Sequence, residues 1–245
     1  MRTGQHALLR RCAQGIAGLL YPRAANCLCC GDPRQASAAD CLCDSCRWAI
    51  EQKRLPPSAC DRCLSPVRPG KPCAFCASPL MASIDRAFAP YRYTEEVRQL
   101  IHAYKFDACN EALPLLCDAM ADALPVRDFD CISPVPLHIK RLRQRGVNQA
   151  LLLSQGLSAR TGIPVAELLQ RTRYGKPQSL TDAARRKTNV ENAFSASKEA
   201  KGKRILLVDD VRTSGSTAYA CARALRDAGA QSVSLCVCAV VYRKK

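Results

Sequence analysis

Apolar and polar positions change rhythm several times along the chain, and from about Ile84 onward the changes predict alternating strands and helices. AFAPYRY reads as a strand, TEEVRQLIHAYKF as an amphipathic helix capped by Thr94, and EALPLLCDAMADAL as a second helix. FDCISPVPL reads as a buried strand, QALLLSQGLSARTG as an amphipathic helix closed by Gly162, and IPVAELLQRTR as a further strand region. In KRILLVDDVRTSGST the continuous run Ile205 to Val208 suits a strand buried on both faces of a parallel sheet. Asp209 and Asp210 end that run, a short loop from Val211 to Ser216 follows, and TAYACARALRDAGA reads as the next helix. SVSLCVCAVVY supplies the last strand, before a basic tail. Strands alternating with helices in this way predict an α/β fold with a mainly parallel sheet.

Two regions depart from the alternation. YGKPQSLTDAARRKTNVENAF is polar, turn-rich and basic, a composition suited to a lid or substrate loop. The region before Ile84 has no sheet pattern at all. It opens on MRTGQHALLRRCAQGIAGLLYP, which reads as a docked amphipathic helix; the stretch is also Arg-bearing and free of acids, as transit peptides are. No apolar run reaches the roughly 18 residues of a membrane helix, so membrane insertion is not expected.

Cysteine changes the picture of that first region. Of 17 cysteines, ten lie from Cys27 to Cys76, and no secretory signal precedes them. The clustering points to metal in a reducing, cytoplasmic compartment rather than to disulfides. Cys27/Cys30, Cys43/Cys46, Cys60/Cys63 and Cys73/Cys76 are C-x-x-C knuckles, each able to aim two thiolates at one tetrahedral zinc. Consecutive pairing gives two short ribbons that close separately, and interleaved pairing is the alternative. Cys29 and Cys41 compete as ligands in the first site. With few large apolar residues, the segment depends on metal for much of its stability, so the two zinc ions are expected to be structural. The predicted division is 1–82 for the N-terminal helix and double zinc ribbon, and 83–245 for the α/β part.

The excess of 37 Lys and Arg over 21 Asp and Glu gives a net charge of +16, which favours anionic partners without choosing among them. The densest basic loop is HIKRLRQRGVNQ, carrying Lys140, Arg141, Arg143 and Arg145 directly after a predicted parallel strand, where it would stand at the mouth of a site and hold pyrophosphate. A nucleic-acid patch or a solvated loop is the competing reading. Strand, hydroxyl-rich turn and helix N-terminus at Asp209 to Thr217 make an anion cup: backbone N–H groups, the hydroxyls of Thr213, Ser214, Ser216 and Thr217, and the positive helix end hold a phosphate, while Gly215 lets the backbone approach it. Asp209 and Asp210 repel phosphate; they fit vicinal ribose hydroxyls or a divalent metal. The bland reading is a strand with a solvated acidic end and ordinary N-cap hydroxyls.

The stretch resembles the PRPP-binding motif of type I phosphoribosyltransferases: Asp209, Asp210, Val211, Thr213, Ser214, Gly215 and Thr217 stand in its places, with Ser214 for the usual Thr. The order of zinc knuckles, LIHAYKF, PVPLHIKRLRQRGVNQ, QSL, RKTNVENAF and VDDVRTSGST resembles the ComF family, including GntX-like proteins, across most of the chain. The family's R-G-F-N-Q falls on Arg145, Gly146, Val147, Asn148 and Gln149, and its Q, R-x-x-N-V and F on Gln178, Arg186, Asn189, Val190 and Phe194. That resemblance implies a five-stranded, mainly parallel phosphoribosyltransferase-type sheet flanked by helices, behind an N-terminal double zinc ribbon. It implies PRPP with Mg2+ as ligand, bound by Val211 to Thr217, Arg212 included, with Asp209 and Asp210 catalytic and Gln178, Arg186 and Asn189 in a substrate or lid loop. It further implies a role in natural competence, DNA uptake or use of imported DNA, with phosphoribosyl transfer to an acceptor as the reaction. A non-catalytic DNA-binding or adaptor protein, working through its ribbons and basic surface with single-stranded DNA and DNA-uptake proteins as partners, is the competing function.

Overall fold

The computed structural model describes residues 26–32, 41–67, 71, 73, 76, 83–106, 111–125, 127–139, 142–143, 146–172 and 193–242. The N-terminal stretch 1–25 and the loop 173–192, with Gln178, Arg186 and Asn189, lie outside the described residues, as do Lys140, Arg141 and Arg145 of the basic loop.

Helix α1 (Asp44–Glu51) belongs to the cysteine-rich segment. The sheet begins with β1 (Ala87–Phe88) and β2 (Tyr91–Arg92), followed by helices α2 (Glu95–Phe106) and α3 (Ala112–Asp122) and strand β3 (Cys131–Pro134). Helix α4 (Gln149–Thr161), strands β4 (Leu169–Arg171), β5 (Phe194–Ala196) and β6 (Arg204–Arg212), helix α5 (Ser216–Asp227) and strand β7 (Ser232–Val240) complete the order. The main sheet runs β1–β7–β6–β3, with β2 also on β7, and every pairing in it is parallel.

AFAPYRY is therefore not one strand but two short ones lying along the same edge of β7, with Ala87 opposite Leu235 and Tyr91 opposite Ala239. Between them Pro90, which has no N–H, offers its carbonyl instead to Leu55 N at 2.9 Å. IPVAELLQRTR splits too. Val165 makes a single parallel bridge to Ile132 on the outer side of β3, and β4 leaves the sheet to form an antiparallel ribbon with β5, Leu169 opposite Ala196. Thr94 precedes α2 as expected, but its hydroxyl donates to Glu96 at 2.7 Å while its carbonyl receives Arg98 N. Gly162 closes α4 at φ +76, bonded to the Ser158 carbonyl at 2.8 Å.

Alternation along β6 and β7 builds two cores. Leu206 and Val208 face α2, α3 and α4 with Leu100, Leu116, Met120, Leu153 and Leu157, whereas Ile205, Leu207, Val233, Leu235 and Val237 face α5 and the β4–β5 ribbon. Each fully buried Leu or Val contributes about 1.5–3 kcal/mol, so these two strands anchor the fold. The cysteine-rich segment reaches both faces: Cys27, Cys41, Leu42 and Ile50 join the first core and Cys63 the second. Lys53, Arg54 and Leu55 run beside β2, with the Lys53 carbonyl accepting Arg92 N at 2.8 Å and Arg54 bridged antiparallel to Tyr91. Tyr91 also donates its hydroxyl to Glu51 at 2.9 Å, and Lys53 pairs with Glu96 at 3.2 Å.

The chain reverses direction between β3 and β6. After β3 it crosses by α4 on one face and reaches Val165 on the outer side; after β6 it crosses by α5 on the other face and reaches β7. Adjacent parallel strands whose following loops leave in opposite directions open a crevice at their carboxyl ends, the usual ligand position in such sheets. Arg204 holds the amino ends in register, donating to both oxygens of Asp130, at 2.9 Å from Nη2 to Oδ1 and 2.8 Å from its backbone N to Oδ2. Among the described residues no helix is long and apolar enough to cross a membrane.

Candidate phosphate turn and metal centres

Strand β6 does not stop at the acids. It stays in register with β7 through Asp209 opposite Val237, Val211 opposite Ala239 and Arg212 opposite Val240. The expected loop from Val211 is thus shortened to Thr213, Ser214 and Gly215 before α5 begins at Ser216. The long apolar β7 extends the ladder past the point where β6 itself turns polar. Alternation then directs the two carboxylates to opposite faces. Asp209 lies on the α5 side, where its charge and that of Arg171 act on the buried Cys221 thiol, and Asp210 lies on the side of Tyr104. Both acids are half-buried, and Asp209 Oδ1 accepts the Asp210 N–H at 2.9 Å.

The turn folds around Gly215. Its φ of +78 is a left-handed conformation that favours glycine, and an added Cβ would stand 2.3 Å from Cε2 of Tyr219. Tyr219 is buried under the turn, and its N–H closes the first helical bond on the Gly215 carbonyl at 2.9 Å. Ser214 and Ser216 hydroxyls bond each other at 2.6 Å, and Ser216 N donates to Ser214 Oγ at 3.3 Å. Above them is a small open hollow lined by Asp209, Val211, Arg212, Thr213, Ser214, Gly215, Ser216, Thr217, Ala218 and Val237. It sits on the positive end of α5, so its chemistry is that of an anion cup with one carboxylate in the wall. A larger groove, lined by Leu55, Pro56, Leu64, Phe88 and Pro125, lies at the β1 edge away from these groups.

Arg212 lines the hollow, and its guanidinium also reaches the cysteine-rich segment. Arg212 is 3% exposed, and its Nη2 donates to Ser65 Oγ in the cysteine-rich segment at 3.3 Å. Across the crevice, Arg143 is exposed in the loop after β3. That loop is shaped by residues whose function sequence reasoning left unassigned. Gly146 takes φ +75, and Asn148 caps α4 by accepting Ala150 N at 3.2 Å while donating Nδ2 to the Val135 carbonyl at 3.2 Å. Tyr104 then fixes the helix start from below, its hydroxyl donating to the Gln149 carbonyl at 2.6 Å. An Asn directly before an apolar helical pattern was the available signal. Asn148→Ala is expected to cost about 1–2 kcal/mol by loss of the cap and of the tether to β3, measured as a lowered midpoint in urea with unchanged slope.

The cysteines assemble as two groups of four, Cys27, Cys30, Cys43 and Cys46, and Cys60, Cys63, Cys73 and Cys76, with the sulfurs of each group within 4.8 Å of one another. This is the consecutive pairing. Cys29 and Cys41 stay outside it; Cys29 Sγ lies 3.7 Å from the Glu96 carbonyl, and Cys41 is buried in the first core. The distances fit zinc. Four sulfurs at about 2.3 Å from a tetrahedral ion stand about 3.8 Å apart, and Cys30–Cys43, Cys60–Cys76 and Cys63–Cys73 are 3.8, 3.7 and 3.5 Å apart. Backbone N–H groups of Cys29 and Cys43 point at Cys27 Sγ, each at 3.4 Å. Burial pushes the Cys27 thiol up, but the N–H groups of Cys30, Cys43 and Cys29 outweigh it and bring it below its ordinary value. The Ser45 hydroxyl and the Cys46 N–H hold Cys43 down at about 6. Burial and the neighbouring sulfurs push Cys46 and Cys76 well up. Every described cysteine is unbridged.

Residues 144–245 match the phosphoribosyl transferase domain family. The DNA utilization protein YhgH of Salmonella typhi is 31% identical over 209 residues, spanning 80% of this chain and 89% of that protein. Competence protein F of Haemophilus influenzae is 30% identical over 200 residues, spanning 72% and 87%. Among solved structures, the glutamine phosphoribosylpyrophosphate (PRPP) amidotransferase from B. subtilis complexed with ADP and GMP is 24% identical, with a TM-score of 0.41, over 57% of this chain and 30% of that longer one. With a phosphoribosyltransferase-type domain and two four-cysteine clusters that fit a double zinc ribbon, the chain belongs to the ComF family.

Proposed function

We propose that this protein binds PRPP, together with Mg2+, in the hollow between β6 and α5, and that it acts in natural competence or the use of imported DNA. The observation that carries the reading is the turn itself: Thr213 to Thr217 wrap a hollow at the N-terminus of α5, Gly215 is held at φ +78 over Tyr219, and Asp209 stands in the wall. A 5-phosphate on the turn places a ribose over the carboxyl end of β6, where Asp209 and Asp210 accept hydrogen bonds from its hydroxyls. Arg143, with Lys140, Arg141 and Arg145 of the same loop, receives the pyrophosphate, and the loop carrying Gln178, Arg186 and Asn189 covers the acceptor. Mg2+ supplies charge neutralisation on the pyrophosphate oxygens.

Phosphoribosyl transfer is the reaction this arrangement suits. The C1–O bond to pyrophosphate breaks, an acceptor forms its bond at C1, pyrophosphate leaves with the electron pair, and the carboxylates stabilise positive charge on the ribose. The names of the relatives support the setting in DNA utilization and competence. Reduced four-cysteine clusters support a cytoplasmic location.

Asp210→Asn tests the reading. Removing one such preorganised charge costs about 3 kcal/mol, so PRPP affinity or turnover should fall on the order of a hundredfold while the melting temperature stays within a few degrees. Calorimetric titration with PRPP and Mg2+, and pyrophosphate release with candidate acceptors, measure it. Unchanged PRPP affinity in the variant would remove Asp210 from the site.

A further inference from the structure

Arg212 is a buried cation at the end of the phosphate-turn strand, and its surroundings lead into the second cysteine cluster. Its Nη2 donates to Ser65 Oγ at 3.3 Å, across 147 positions of sequence. Ser65 is in turn part of the cluster's frame. Its carbonyl accepts Cys60 N at 3.0 Å, Leu64 N closes the knuckle on the Cys60 carbonyl at 2.7 Å, and both its hydroxyl and its backbone N–H donate to the Cys63 sulfur. On the other side the Arg212 charge acts on the Tyr219 hydroxyl, and the Tyr219 ring fills the space over which Gly215 is held. A continuous line of contacts therefore runs from Cys63 through Ser65, Arg212 and Tyr219 to Gly215.

Charge explains why an arginine stands there. A site of Zn2+ and four thiolates carries a net formal charge of about −2, and a buried guanidinium is tolerated where fixed negative charge and hydrogen-bond acceptors surround it. The first cluster has no such link among the described residues: it packs on the opposite face of the sheet, with Leu42, Ile50 and α2.

We infer that Ser65, Arg212 and Tyr219 are positioning residues that couple metal loading of the Cys60/Cys63/Cys73/Cys76 cluster to phosphosugar binding at the Gly215 turn. The inference rests on the phosphosugar reading of that turn. With the cluster loaded, Cys63 would be held as a thiolate, Ser65 would turn its hydroxyl proton to the sulfur and its lone pair to Arg212, and Arg212 would hold the Tyr219 ring that supports the turn. Coupling of this kind is reciprocal: whatever factor zinc adds to ligand affinity, ligand adds to zinc affinity.

The full-length, zinc-loaded protein is titrated with ribose 5-phosphate and, separately, challenged with a chromogenic chelator with and without saturating ribose 5-phosphate. In the wild type the sugar phosphate should slow release of one of the two zinc ions about fivefold or more and leave the other unaffected. Ser65→Ala should weaken ribose 5-phosphate binding by a similar factor with two zinc ions still bound, Ser65→Thr should restore it, and Arg212→Met should behave as Ser65→Ala does. Wild-type binding that persists unchanged in Ser65→Ala and Arg212→Met, with both release rates indifferent to ligand, overturns the coupling and leaves the phosphosugar site standing. Failure of the wild type to bind either ribose 5-phosphate or PRPP overturns both.

Discussion

Cys60→Ser should reduce bound zinc from about two ions per chain to about one and unfold the second ribbon while the sheet survives. A serine hydroxyl does not replace a thiolate on zinc, and structural zinc contributes an apparent 10–16 kcal/mol to small ribbons of this kind, more than the ribbon's own apolar residues supply. Among the described residues around the second cluster, Cys63 is fully buried and Leu55 and Leu64 are packed partly against the second core. The loss extends beyond the ribbon, because Arg212 would lose its hydrogen bond to Ser65, and losing a hydrogen bond made by a buried charged group costs about 1.5–3 kcal/mol. Metal analysis and ribose 5-phosphate titration should therefore both report the change. Cys43→Ser is the matched comparison. It should also cost one zinc, yet leave sugar-phosphate binding nearly intact, because the first cluster packs on the α2 face and does not reach the turn. Retention of two zinc ions in Cys60→Ser would remove Cys60 from the ligand set.

How much of this could be read from the sequence depended on whether the determining contacts are local. Cys60/Cys63 and Cys73/Cys76 are legible because two residues of spacing fix each knuckle, and the intervening chain is short enough to bring the knuckles together. Ile205 to Val208 is legible because only a strand buried on both faces is apolar at every position, and both faces are indeed covered. Its end was misread for the opposite reason. Asp209 to Arg212 look like a polar loop, but their pairing is set by Val237 to Val240, a partner strand encoded some 28 positions later. AFAPYRY was read as one strand because its apolar positions alternate; Pro90 divides the ladder, a backbone effect that hydropathy does not record.

Arg212 shows the limit most clearly. By position it belongs to the phosphate motif, and its charge invites the reading that it touches the ligand. The fold also ties it to Ser65, a partner 147 positions away in the sequence that no local pattern announces. Asn148 is the converse case: its role as cap and tether is local to α4, and a helix-start pattern contained it. The lid residues Gln178, Arg186 and Asn189 rest on resemblance alone, since they fall outside the described chain.

Gly215→Ala should remove phosphosugar binding and lower stability together, by two separable effects. The first is conformational: φ +78 costs an L residue about 1–2 kcal/mol. The second is steric, because the new Cβ would lie 2.3 Å from Tyr219 Cε2 and 2.7 Å from its hydroxyl oxygen, and overpacking of a filled site costs about 1–3 kcal/mol. The ring cannot retreat, since Tyr219 is 4% exposed and packed in the second core with Ala222 and Cys221. The turn must therefore move outward, carrying its N–H groups away from the phosphate position. Affinity for ribose 5-phosphate should fall more than thirtyfold, the equivalent of about 2 kcal/mol, with a melting temperature several degrees lower. Adding Tyr219→Leu to Gly215→Ala separates the terms. The smaller side chain relieves the clash but not the backbone strain, so the double variant should recover most of the lost stability and little of the binding, a non-additivity expected only of residues in contact. Wild-type affinity in Gly215→Ala would place the phosphate elsewhere on the molecule.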